Sequence, residues 1–202
     1  MATIAEHHEK NVIRVQLSQN CILKELPPQE LLELEAHLEV ADYAKGDYLA
    51  HQGNRNLDVI FVLDGLLKRT VSNPQAKEMI LRFTSERHME AAYASWKLSK
   101  MASFSIVAIA KTRVVQIAMP QWAAFIETHS QLKQLFELEV MRIMSSIMSH
   151  TISLHLLDAP GRVQRFQRKH PALFERLPKK ELASYLNLSP ETLSRLKNQG
   201  KI

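Results

Sequence analysis

The chain has 202 residues, a net charge of +5, 46% hydrophobic and 23% charged residues, and a single cysteine, Cys21. That length supports one sizeable core or a medium domain plus a small one, and the lone cysteine excludes an internal disulfide framework, a cysteine-rich zinc site and an iron–sulfur cluster held by several local cysteines. No apolar run approaches the roughly 18 residues that span a bilayer, and Met1 to Leu17 lacks the apolar core of a signal peptide, so a soluble, cytoplasmic chain with no membrane partner is expected.

Pro27 to Leu38 ("PPQELLELEAHL") reads as a short amphipathic helix with Leu31, Leu32, Leu34 and Leu38 available to one side. The period then changes. "YLAHQG", "DVIFVLDGLLKRTV", "EMILRF", "SFSIVAIA" and "RVVQIAM" are short β-branched runs separated by turn chemistry such as Gly53-Asn54 and Asn73-Pro74. Six to eight short strands in this stretch predict an antiparallel roll or sandwich, so residues 1–128 form an expected β-roll and the whole chain an α+β fold.

From Pro120 the pattern is helical. Phe136, Val140, Ile143, Ile147, His150, Leu154 and Leu157 alternate spacings of four and three, the signature of a heptad seam. Met141, Met144, Met148 and Ile152 form a second stripe beside it. Two apolar faces on one helix need two partners. The economical expectation sets the first stripe against a twin helix in a homodimer and the Met face on the strand domain; the alternative is one broad face buried within a monomer. Residues 129–158 are thus read as dimerisation helix and hinge, with Asp158 as N-cap of the next helix and Pro160 in its first turn.

Residues 159–202 carry ten Lys or Arg against three Glu, a net of +7 that leaves the rest of the chain near −2. A basic end on a near-neutral body is the electrostatic footprint of a nucleic-acid reader. Its final stretch, "LASYLNLSPETLSRLKNQGKI", fits two short helices crossing steeply. Leu182, Leu186, Leu188, Leu193 and Leu196 supply the shared interface and Ala183 the close approach. Asn187 stands where a left-handed residue is needed, Ser189 N-caps the second helix and Pro190 opens it. On that helix Glu191, Ser194 and Arg195 share an exposed side. With the helix in a major groove, Arg195 can donate to guanine and Glu191 accept from cytosine N4. A Glu191–Arg195 pair at i,i+4 is the plainer structural reading, and the two are compatible. Lys179, Lys180, Ser189, Thr192 and Lys197 are candidate phosphate contacts, which position the module without specifying sequence. Double-stranded DNA is therefore the expected partner, with RNA polymerase a further candidate.

A strand-rich roll, a long helix, a hinge and a C-terminal helix-turn-helix, in that order, resemble the Crp/Fnr family of bacterial transcription regulators. "KGDYLAHQGN" and "VIFVLDGLLKR" look like the first glycine turns of a cyclic-nucleotide-binding roll, "LDAPGRV" is similar to the family hinge, and "SPETLSR" matches its recognition helix. The Glu191, Ser194, Arg195 pattern is similar to that of the fumarate-nitrate branch and implies a palindrome of TTGA-like half-sites. The resemblance also exposes departures. Where cyclic-nucleotide binders carry a Gly-Glu pair and an Arg for the cyclic phosphate, this chain has "HMEAAYASWKLSKMASFSIVA", with Glu90 as the one cassette acid and Ala102 or Ser103 at the arginine's place. Without that guanidinium a buried phosphate lacks its partner, so the degenerate cassette argues against cyclic AMP. Counting back from Asp158 puts Ile147 and Met148 where a base would be touched. Glu90, Tyr93, Ser103, Ser105, Ile147 and Met148 therefore line an expected apolar pocket, either packed core or the seat of another, unidentified small molecule. The chain as given runs seven residues past Arg195, so the family's β-hairpin wing is expected to be missing.

The remaining chemistry is sparse. Cys21 is open to a redox or an inert reading, and His150 to a role in helix register, in pH sensing or in neither. His150 and His155 are five apart, on different helix faces, and no metal-ligand spacing appears, so no metal and no cofactor is predicted. No phosphate loop, nucleophile elbow or assignable carboxylate pair supports an enzyme, and Ser194 to Lys197 matches S-x-x-K by chance. The competing reading is a sensor of another small molecule, or of haem, whose helix-turn-helix docks a protein.

Overall fold

The computed structural model describes residues 2–55, 57–75 and 77–199. The outer ends of the expected roll (residue 1) and of the basic tail (200–202), where a wing would begin, lie outside the described residues. The elements run β1 (Ala2–Thr3), α1 (Lys10–Leu17), α2 (Pro28–Glu35), β2 (Glu39–Tyr43), β3 (Tyr48–Ala50), β4 (Asp58–Asp64), β5 (Leu66–Ser72), β6 (Glu78–Ser85), β7 (Met89–Ala91), α3 (Tyr93–Lys97), β8 (Ser105–Ala108) and β9 (Thr112–Ala118). Helices then take over: α4 (Met119–Thr128), α5 (Ser130–Leu156), α6 (Ala159–Lys169), α7 (Pro171–Arg176), α8 (Lys179–Tyr185) and α9 (Pro190–Asn198).

The strands form two antiparallel sheets, ordered β1-β2-β9-β4-β7 and β3-β8-β5-β6, so the fold is α+β with an N-terminal roll. The apolar run "DVIFVLDGLLKRTV" supplies one strand to each sheet. Gly65 breaks it at φ +105°, and a Cβ there would meet Thr112 Oγ1 at 2.5 Å and the Lys111 carbonyl at 2.6 Å. Only glycine fits both constraints. The N-terminal strand, β2 and β7 carried no clear alternation and emerge only through pairing. The helix foreseen at Pro27 forms, but it buries Leu34 and leaves Leu32 exposed. At the core's centre the Trp122 ring lies 5.5 Å from that of Phe61 and 5.2 Å from that of Phe136.

The 27-residue α5 spans about 40 Å at 1.5 Å per residue, and here the structure corrects the expected seam. Phe136, Ile143 and His150 are buried, and Val140, Ile147 and Leu154 are half-buried, all within their own chain. Phe136 is fully enclosed, its ring 5.0 Å from that of Tyr93. The stripe assigned to the strand domain, Met141, Met144, Met148 and Ile152, is the exposed one, together with Leu138. Both stripes have heptad-compatible spacing, so periodicity could not rank them. Shape did: a rigid phenyl ring completes the aromatic cluster around Trp122, whereas unbranched methionine offers no such fit.

Beyond α5 the hinge follows its local chemistry. The Asp158 carboxylate accepts from Gly161 N at 2.9 Å and caps α6. The helices after it share a second core with the roll, in which Leu66, Ile80, Phe83 and Ile109 meet Val163, Phe166, Leu182, Tyr185 and Leu193. Polar ties reinforce the contact. Arg176 donates to both Glu86 carboxylate oxygens at 2.8 and 2.7 Å and Lys68 Nζ to Glu181 at 3.1 Å, while Arg165 ties α6 to α5 by donating to Ser149 Oγ at 2.6 Å. Among the described residues no helix is long and apolar enough to cross a membrane.

Candidate nucleic-acid interface and cavities

The C-terminal pair α8–α9 is built as its sequence requires. Asn187 between them has φ +53°, the left-handed value that asparagine tolerates best among side-chain-bearing residues. Ser189 Oγ accepts from Thr192 N at 3.2 Å, capping α9, and Pro190 sits in the first turn. Leu193 and Leu196 are buried against α8, which aims the opposite face of α9 outward. On that face Glu191 and Arg195 are exposed and Ser194 is half-buried. Ser194 Oγ donates to the Pro190 carbonyl at 2.8 Å and accepts from Lys179 Nζ at 2.9 Å. Lys180 and Lys197 are exposed nearby, Ser189 is exposed at the cap and Thr192 is half-buried. The i,i+4 pair does not form: no Glu191–Arg195 contact lies within ion-pair distance among the described residues. Instead the Glu191 carboxyl is held below the usual range by hydrogen bonds from its own backbone and from Ser189. The chemistry on offer is one guanidinium, one carboxylate and several ammonium groups on an otherwise apolar-backed helix.

His150 tightens the attachment of this unit. Its ring stacks on Tyr185 with centroids 3.7 Å apart and planes 4° from parallel, and Nε2 lies 3.1 Å from the Tyr185 carbonyl, the geometry of an N–H donor. Burial pushes its pKa down to about 4, so it is a neutral docking residue at pH 7. Cys21 is half-buried and burial pushes its thiol up to about 11, which removes the thiolate that redox chemistry needs.

In the roll a cavity of about 120 Å³ lies between β5, β6, α3 and α5. Of the six expected lining residues only Ser103 lines it. Glu90 is buried beside it but fully committed: Arg69 Nε donates to it at 2.8 Å, Arg82 Nε lies 3.2 Å away, and Thr84 Oγ1 donates as well. Burial raises the Glu90 carboxyl, yet Arg69 and Arg82 outweigh it and hold the group below the usual carboxylate range. Tyr93 turns its hydroxyl to Glu137 at 3.2 Å, and Ser105 Oγ accepts from Gln52 N at 2.9 Å. The α5 contribution comes from Val140, Ile143 and Met144, about one to two helical turns before the expected Ile147 and Met148. The reason is that the C-terminal unit claims the later turns, where His150 meets Tyr185, and Met148 is exposed.

Sequence reasoning missed Arg69 and Arg82. They stand directly opposite one another on β5 and β6, and like charges in register are unfavourable unless an anion is shared. Glu90 is that anion, and Arg69 also lies 3.9 Å over the Phe104 ring. The signal was a pair of strand arginines, but it became meaningful only with the register. Among the described residues the metal-ligand types that cluster are His7, His8 and Glu9, and Glu9 is already paired with Arg113.

No protein-family model matches this sequence, and no curated protein does. Solved structures do. The c-di-GMP-responsive global regulator CLP of Xanthomonas campestris superposes with a TM-score of 0.71 at 14% identity, over 86% of this chain and 92% of its own. FixK2 of Bradyrhizobium japonicum gives 0.68 at 17% identity, over 81% and 86%. The catabolite activator protein of Thermus thermophilus gives 0.58 at 19% identity, over 90% and 88%. The shared property is the fold, that of Crp/Fnr-type regulators.

Proposed function

We propose that this chain is a sequence-specific DNA-binding transcription regulator that acts as a homodimer. The observation that carries it is the build of α9: capped by Ser189, backed by Leu193 and Leu196, and presenting Glu191 and Arg195 to solvent. Glu191, Ser194 and Arg195 read base edges, and Lys179, Lys180, Ser189, Thr192 and Lys197 bear on phosphates. The target is a palindrome of TTGA-like half-sites spaced about 34 Å apart. The functional units are 1–128, 129–158 and 159–202, and RNA polymerase is the further partner that such a regulator would engage. The role is one of binding, not catalysis.

The dimer seam differs from the one that periodicity favoured. Leu138, Met141, Met148 and Ile152, with Ser145 between them, keep alternating spacings of three and four on the exposed face, which fits a parallel twin helix. Cyclic AMP does not gate the protein on this reading. Arg69 is neutralised by Glu90, and a cavity of about 120 Å³ is well below the roughly 300 Å³ at which pockets for drug-sized ligands begin.

Random-site selection with the full chain tests the proposal. A palindrome with two TTGA-like halves is expected, with affinity falling steeply as salt rises. Arg195→Ala should cost about 1–3 kcal/mol and relax preference at one base pair, whereas Lys197→Ala should weaken all sequences alike. Failure to retain any palindromic fragment, or salt-insensitive capture of a protein instead, overturns it.

A further inference from the structure

A second cavity, of about 240 Å³, lies where the roll, α5 and the C-terminal helices meet. Arg82 from β6, Arg142 from α5, His170 just beyond α6 and Tyr185 from α8 all line it. Its sole carboxylate among the described residues is Glu139, which is drawn to Arg142 at 3.5 Å. Arg82 is less well served. It shares Glu90 with Arg69, so two guanidinium groups divide one carboxylate, and Arg82 Nη1 is buried without a hydrogen-bond partner. An incompletely compensated guanidinium is costly, and a nearby anion lowers that cost through its charge; Nη1 itself is closed off, so contact falls to the rest of the Arg82 side chain, which is 14% exposed. A smaller gap continuing from the same wall is lined by Arg162, Arg165 and Lys169, which extends the positive potential. Phe83, Phe166 and Tyr185 supply the apolar wall, their rings 5.1 and 5.3 Å apart around Tyr185.

We propose that this cavity binds a small organic anion, a single phosphate or carboxylate on a compact ring, with Arg82 and Arg142 holding the charged group and the aromatic wall packing on the ring. Guanidinium is suited to such planar or multi-oxygen anions because it donates through a fixed fork. The volume, below that of pockets for drug-sized ligands, restricts the body to about one ring. Because the lining comes from three parts of the chain, the ligand would touch each of them.

Isothermal titration of the full chain, without DNA, tests the site independently of the DNA-binding reading. Phenyl phosphate or benzoate should bind saturably at one site per chain, inorganic phosphate more weakly, and phenol not at all. Preference between phenyl phosphate and benzoate identifies the anionic group. Arg82→Gln and Arg142→Gln should each weaken binding about tenfold or more, equivalent to about 1.4 kcal/mol. If Arg82→Gln does not fold, Arg142→Gln decides, since that side chain is 64% exposed and its replacement spares the core. Absence of saturation by either ring anion, equal binding of phenol, or undiminished binding by the folded variants overturns the proposal.

Discussion

The two apolar faces of α5 have nearly the same periodicity and opposite fates. The inward face, through Phe136, Ile143 and His150, is buried against the roll and the C-terminal helices. The outward face, through Leu138, Met141, Met148 and Ile152, remains in contact with solvent. A surface helix normally carries one apolar face; the outward stripe is a second one, and in the proposed homodimer it is half of the interface. The contrast separates two kinds of energy in one element: packing that the single chain completes, and packing that a second copy would complete. Local composition follows the same division. The inward stripe uses β-branched and aromatic side chains in fixed rotamers, while the outward one is methionine-rich and adaptable.

Replacing one residue on each face breaks the comparison most directly. Phe136→Ala should cost about 3–5 kcal/mol in urea unfolding, because the aromatic cluster around Trp122 cannot collapse into the space; a cost below about 1 kcal/mol would show that the inward face is not core. Met148→Glu should leave the single chain's stability within about 0.5 kcal/mol yet turn a dimer into a monomer in sedimentation. If the wild type already sediments as a monomer at micromolar concentration, the outward face has another purpose.

The smallest expected effect lies at the end of α5. Folding lowers the His150 pKa from 6.5 to about 4, so the unfolded chain takes up a proton that the folded chain refuses between those values. Stability from this residue is therefore complete above about pH 6.5 and is lost as pH falls toward 4. Residual solvent access, 9% of the residue's surface, keeps the effect to the order of 1–2 kcal/mol. His150→Gln should flatten that part of the pH–stability profile; an unchanged slope would assign it to other groups.

Legibility in the sequence varied with the range of the interactions. Asp158, Asn187, Ser189 and Pro190 were readable because capping and left-handed turns act over three or four residues. The strands of the roll were readable where alternation or β-branching was strong, and β2 and β7 were missed because only their pairing makes them strands. The cavity lining slipped by one to two turns because docking of α8, not the distance to the hinge, determines which part of α5 is left open.

The amino-acid sequence by itself determined the α+β order of elements, the long helix with two apolar stripes, and the capped pair of helices at the basic end. Each depends on periodicity, charge balance or a cap within one or two turns of chain. Tertiary structure alone decided which stripe faces inward, that Arg69 and Arg82 share Glu90, and that a cationic cavity opens between the roll and the C-terminal helices. Those outcomes depend on shape and register between residues far apart in sequence, and neither quantity exists until the chain has closed on itself.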